Sequence, residues 1–102
     1  MMVKKRAAIS DDVLVTSAEV IKCLGHPLRL RLLECLESGE KSVSELQRYS
    51  GATQAAVSQQ LITLKARDIV DSRREGSHMY YRITEPKVSS ILNCIRTCDF
   101  NR

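Results

Sequence analysis

The stretch SVSELQRYSGATQAAVSQQLITLKARDIV, residues 42–70, decides the fold. It opens with Ser42-x-x-Glu45, a capping box in which each side chain satisfies a backbone N–H at a helix start. Val43 and Leu46 turn this helix inward. Ser50-Gly51-Ala52 then bends the chain, and Thr53 is a good N-cap for a second helix. Val57, Leu61 and Leu64 recur there at i, i+4 and i+7, so one face is buried. Gln54, Ala55, Ser58 and Gln59 remain outside near its start. Two helices joined by a short glycine-containing turn form the helix-turn-helix pattern.

Upstream, Ser10 with Asp11 and Asp12 suits a helix start, since acids favour the positive end of the helix dipole. Leu14, Ala18 and Ile21, with Val13, Val20 and Leu24, make one helical stripe. Gly25-His26-Pro27 interrupts it, and Pro27 fits the first turn of a further helix. LRLRLLECL continues that helix with Leu28, Leu32, Leu33 and Leu36 on its apolar face, and Ser38-Gly39 closes it. His26 at the junction reads as a local hydrogen-bonding residue. Downstream of Asp68 the period changes to two. Ile69-Val70 begins a strand, Arg73 to Ser77 makes a charged turn, and residues 78–83 return as a second strand. Thr84-Glu85-Pro86 starts a last helix that aligns Val88, Ile91, Leu92 and Ile95. The expected fold is mainly α with a small β-hairpin: a winged helix-turn-helix. Residues 1–9 are expected to be a flexible N-terminus, and residues 10–102 one DNA-binding and dimerisation domain.

The chain has 102 residues, enough for one modest core that a second chain often completes. It is 43% hydrophobic and 27% charged, an ordinary globular balance. No apolar run nears the roughly 20 residues of a membrane span, and MMVKKRAAISDD lacks the apolar core of a secretory signal. A cytoplasmic location is therefore expected. The net charge is +4, and Arg29, Arg31, Lys65, Arg67, Arg73, Arg74 and Arg82 crowd the centre of the chain. Such a cluster suits nucleic acid, or simply a solvated surface. No acid/base constellation, phosphate loop or nucleophile-plus-base pattern suggests an enzyme.

CLGHPLRLRLLECL, SVSEL, TQAAVSQQLITLKARDIV and SRREGSHMYYRI together resemble the ArsR/SmtB family of winged-helix repressors, in order and in spacing. The resemblance runs from about residue 13 to 98. It implies a homodimer paired through the first and last helices, whose operator binding is relieved by an effector. In such a protein Gln54 and Gln59 suit adenine edges in the major groove, Thr53 and Ser58 reach phosphates or bases, and Ala55 can touch a thymine methyl. Gln60 stands where the family usually has histidine. Lys65 joins the basic set, and Arg73, Arg74, Ser77 and His78 of the wing are expected over phosphate or the minor groove. Two reading helices about 34 Å apart call for a palindromic operator, and binding should weaken with salt.

Four cysteines, Cys23, Cys35, Cys94 and Cys98, are many for such a chain. They are better read as thiols than as a disulfide framework. Cys94 and Cys98 lie i, i+4 on the last helix, with Cys98 inside the Ile91–Ile95 stripe and Cys94 at its edge. They could form a disulfide or polysulfide bridge, or bind arsenite or a soft metal with a third thiol from Cys23 or Cys35. They could also simply pack at the dimer interface. The family's zinc site is not reproduced, because Glu85, Lys87 and Cys98 occupy the corresponding places, and SVSEL lacks the cysteine of the thiolate-rich site. Cys35 with Cys98 or Cys94 resembles the cysteine pair of the persulfide-sensing branch, displaced by one residue because Glu34 holds the usual position. The functions in view are a thiol-switched repressor responding to persulfide, oxidant or metalloid, a repressor without effector, and a protein-interaction module on the same fold. No cofactor is required by the first two beyond a metalloid or soft metal at the cysteines.

Overall fold

The computed structural model describes residues 7–98. Within the segment expected to be a flexible N-terminus, residues 1–6 lie outside the described residues, as do residues 99–102 of the domain; residues 7–9 carry no regular structure. Helix α1 spans Asp11–Leu24 and α2 Pro27–Leu36; β1 is Lys41–Ser42; α3 is Val43–Ser50 and α4 Gln54–Ala66; β2 is Val70–Glu75, β3 His78–Ile83 and α5 Lys87–Thr97.

Local chemistry sets these boundaries. Ser10 accepts the Val13 N–H and caps α1, and His26 accepts the Leu28 N–H through Nδ1 at the start of α2, just before Pro27. The capping box of α3 is complete: Glu45 Oε1 accepts the Ser42 N–H at 2.9 Å, and Ser42 Oγ accepts the Glu45 N–H at 3.2 Å. Gly51 then takes φ 74° as its N–H closes on the Gln47 carbonyl. This left-handed residue is what lets the chain double back into α4. At the end of α4 the Asp68 N–H donates to the Lys65 carbonyl and the Ile69 N–H to that of Leu64, with Asp68 at φ 59°. That paired closure redirects the chain straight into β2.

The core is built from one apolar face per element. Leu32, Leu33, Leu46, Val57, Leu61, Leu64 and Val88 have no exposed surface, and Ile69 and Val70 seal them from the sheet side. Hairpin β2–β3 is antiparallel, pairing Val70 with Ile83 through to Glu75 with His78. The structure corrects two expectations here. Arg73, Arg74 and Glu75 lie in strand β2 and only Gly76-Ser77 forms the turn, because Gly76 at φ 64° supports a two-residue loop. The hairpin is also part of a three-stranded sheet in the order β1-β3-β2, with Lys41 opposite Tyr81 and Ser42 opposite Tyr80.

Helix α1 stands apart from this core. Only its end, Cys23 and Leu24, is buried, while Val13, Leu14, Val15 and Ile21 are about half or more exposed. The Cα radius of gyration is accordingly 15.9 Å, against about 13 Å for a compact domain of this length. No helix among the described residues is long and apolar enough to cross a membrane.

Candidate nucleic-acid interface

Helix α4 presents its first turns outward. Thr53 Oγ1 accepts the Ala56 N–H at 3.1 Å, which fixes the hydroxyl at the helix mouth with its own O–H still able to donate. No acid lies in the first turn of α4. The uncapped N–H groups and the positive dipole end therefore suit a phosphate. Gln54, Ala55 and Gln59 are exposed and Ser58 half-exposed.

Gln54 and Ser58 share one groove of about 400 Å³ with Ser77 and His78 of the wing and Ser42, Ser44 and Gln47 of the α3 segment. The fold thus brings reading helix and wing tip to a single polar concavity. Counting about 100° per residue from Ala55, Gln59 lies about 40° away and Ile62 about 20° to the other side. Ile62 is 63% exposed, on the same side of the helix about two turns further along. An apolar side chain there suits a thymine methyl. Composition alone overlooks it, because an isoleucine beside Leu61 looks like core.

Other expected contacts are placed differently. Gln60 falls about 140° from Ala55, beside Val57 and Leu64. Its Oε1 accepts from Arg29 Nε at 2.7 Å. Lys65 sits at the far end of α4, where its ammonium donates to Ser72 Oγ at 2.7 Å. Arg73 is held by Glu40 through two hydrogen bonds of 2.8 Å and by Glu75 at 2.7 Å, and lies 4.9 Å over the Tyr80 ring. These carboxylates raise the Arg73 guanidinium above its ordinary value, so its charge is permanent but locally balanced. Arg74, on the same strand, is exposed and joins no ion pair among the described residues.

The cysteines divide into two classes. Cys23 and Cys35 are each 6% exposed and belong to the core, and burial pushes the Cys35 thiol up. Cys94 and Cys98 are exposed, with sulfurs 4.0 Å apart. Cys98 is the C-cap of α5: its N–H still donates to the Cys94 carbonyl and the chain turns extended only after it, so its side chain stays one turn beyond Cys94 on the same side of the helix. The neighbouring sulfur pushes the Cys98 thiol up from its ordinary value. Arg96 reaches back from α5 to Glu37 at the end of α2, fixing this segment on the body. Among the described residues no three His, Cys, Asp or Glu side chains gather where they could hold one metal ion. Neither Cys23 nor Cys35 therefore joins the exposed pair within one chain as a third ligand.

Residues 26–72 match the family described as bacterial regulatory protein, arsR family. A biofilm growth-associated repressor of Xylella fastidiosa is 41% identical over 80 residues, covering 78% of this chain and 70% of the relative. The crystal structure of the transcriptional repressor BigR from Xylella fastidiosa superposes with a TM-score of 0.75 at 37% identity, covering 87% of this chain and 96% of that one. A homodimeric winged helix-turn-helix DNA-binding domain from Mycobacterium bovis, solved by NMR, gives 0.71 at 32% identity, covering 89% and 87%.

Proposed function

The chain belongs to the arsR family of bacterial transcriptional regulators, and from that premise we propose that it represses by gripping a palindromic operator as a homodimer and lets go when Cys94 and Cys98 react. The observation that carries the DNA half is the shared groove of Gln54, Ser58, Ser77 and His78. Each protomer would lay the start of α4 in a major groove and the wing tip beside it, two half-sites one helical turn apart. The Cys94–Cys98 pair supports the switch half.

The chemistry is a two-electron exchange. A persulfide, R–S–SH, passes its outer sulfur to one thiol, giving Cys–S–SH and R–SH. The second thiol then attacks the inner sulfur, forming the disulfide and releasing hydrogen sulfide. The sulfurs would close from 4.0 Å to about 2.05 Å. With the Cys98 thiol pushed up, less thiolate is present near neutrality, so the rate should keep climbing as pH rises through and beyond the ordinary thiol range. Operator release followed at several pH values checks this; a rate flat from about pH 7 upward removes Cys98 from the attacking step.

The deciding experiment is fluorescence anisotropy on the DNA upstream of the gene. The reduced protein would be compared with samples treated with a persulfide donor and, separately, with arsenite. Tight binding released by persulfide, and retained in a Cys94→Ser, Cys98→Ser variant, is the expected result. Release by arsenite alone would make the same pair a metalloid site, with a further thiol from the partner subunit. Release unchanged in the double variant would end the reading of Cys94 and Cys98 as the switch.

The wing offers a second check. Arg74→Ala should lower the slope of log K against log salt by about one, as loss of one phosphate contact does. Arg73→Ala should weaken binding with that slope unchanged, because Glu40 and Glu75 already balance its charge. Equal slope changes in the two variants would return Arg73 to the phosphate-contacting set.

A further inference from the structure

Arg29 lies in the first turns of α2, half-buried, and makes two hydrogen bonds in different directions. Its Nε donates to Gln60 Oε1 of α4 at 2.7 Å, and one terminal nitrogen donates to the Cys23 carbonyl at 2.8 Å. That carbonyl belongs to the last turn of α1, where helix carbonyls lack intrahelical partners and the dipole end is negative. A guanidinium meets both needs because its donors are set in one rigid plane; an ammonium, a point charge on a flexible stem, would not hold both at once. Gln60 complements this inward arrangement, facing away from the side of α4 that carries Ala55, Gln59 and Ile62.

We propose that Arg29 is a positioning residue that locks the end of α1 to the recognition helix through Gln60, so that the angle of α4 depends on the seating of α1. Helix α1 otherwise rests lightly on its own protomer, with Val13, Leu14, Val15 and Ile21 exposed. Its end is nevertheless anchored by Cys23 and Leu24 in the core. A shift of α1 therefore reaches α4 through the Arg29–Gln60 link as well as through the shared core, and Gln60 acts in DNA recognition by holding α4 rather than by touching a base. This inference rests on the operator-binding reading for its affinity readout, and on the free protein for a second one.

The test uses four variants of the full chain. Gln60→Ala should weaken operator binding about tenfold, the scale of a lost charge-assisted hydrogen bond, with the salt slope unchanged. Gln60→Glu should stay within about threefold of the parent, because a carboxylate still accepts from the guanidinium. Arg29→Lys should match Gln60→Ala, and the double variant should be no worse than either single one, as for partners in one interaction. Without DNA, hydrogen exchange should quicken about tenfold together at the end of α1 and in α4, in Arg29→Lys and Gln60→Ala alike. A hundredfold loss in Gln60→Glu, or additive losses in the double variant, would mean that Gln60 meets the DNA directly. Exchange that changes in α4 but not at the end of α1 would overturn the coupling, whatever the operator result. A parent protein that fails to bind the operator would sink the repressor reading and leave the exchange test standing.

Discussion

Ile21→Asp is expected to produce a folded monomer whose operator affinity falls by roughly a hundredfold or more. Ile21 is 61% exposed on α1, in company with Val13, Leu14 and Val15, and its loss removes little from the protomer core. Such an apolar face on an otherwise polar domain marks an interaction surface, and the related winged-helix domain from Mycobacterium bovis is a homodimer. A carboxylate placed in that interface would be stripped of water without a partner, at a cost of several kcal/mol. Once the protomers separate, the second half-site no longer benefits from linkage to the first, an advantage worth roughly 10²–10⁴ in affinity. Light scattering coupled to size exclusion, with anisotropy on the same sample, checks both halves. A variant that stays dimeric at micromolar concentration would move the interface away from α1.

Leu61→Ala should lower stability by about 3 kcal/mol, within the range of buried leucine truncations. Leu61 has no exposed surface and belongs to the same packed cluster as Leu32, Leu33, Leu46 and Val88. For a domain of this size that corresponds to a Tm lower by more than about 10 °C, measured at fixed protein concentration because dimerisation contributes to the transition. The adjacent Ile62→Ala removes a similar side chain from a site 63% exposed. It should change stability by less than about 0.5 kcal/mol. The two neighbours therefore separate the packed side of α4 from its exposed side. A thermal melt in which both variants drop equally would show that Ile62 is packed, and would remove it from the DNA face.

Much of this architecture is legible in the chain because its signals are local. The Ser42-x-x-Glu45 box, Gly51 between two helices, Pro27 at a helix start and the spacing of Val57, Leu61 and Leu64 each act within one or two turns. The structure realises each of them where the sequence places it. The turn of the wing reads too wide, since a run of charged residues resembles a loop when the strand pairing that holds it is not visible. Cys94 and Cys98 also read correctly as neighbours one turn apart, since the Cys98 N–H keeps the helical bond to the Cys94 carbonyl and the two sulfurs lie 4.0 Å apart.

The candidate site divides along the same line. Gln54, Ala55, Ser58 and Gln59 on the outer side of α4 follow from the helical period alone, because a face is a property of one element. What occupies a long polar side chain is a property of several. Arg73 meets Glu40 from the turn before β1, Lys65 meets Ser72, and Gln60 meets Arg29, at sequence separations of 33, 7 and 31. No periodicity encodes those meetings. The sequence by itself determined the order of the helices and the hairpin, the buried faces of α2, α3 and α4, and the family; the tertiary structure alone decided that β1 joins the sheet, that most of α1 stays off the protomer core, which charges are free for a partner and which thiols face solvent. Burial and ion pairing are set by the packing of segments distant in the chain, and that packing is the information a local pattern does not contain.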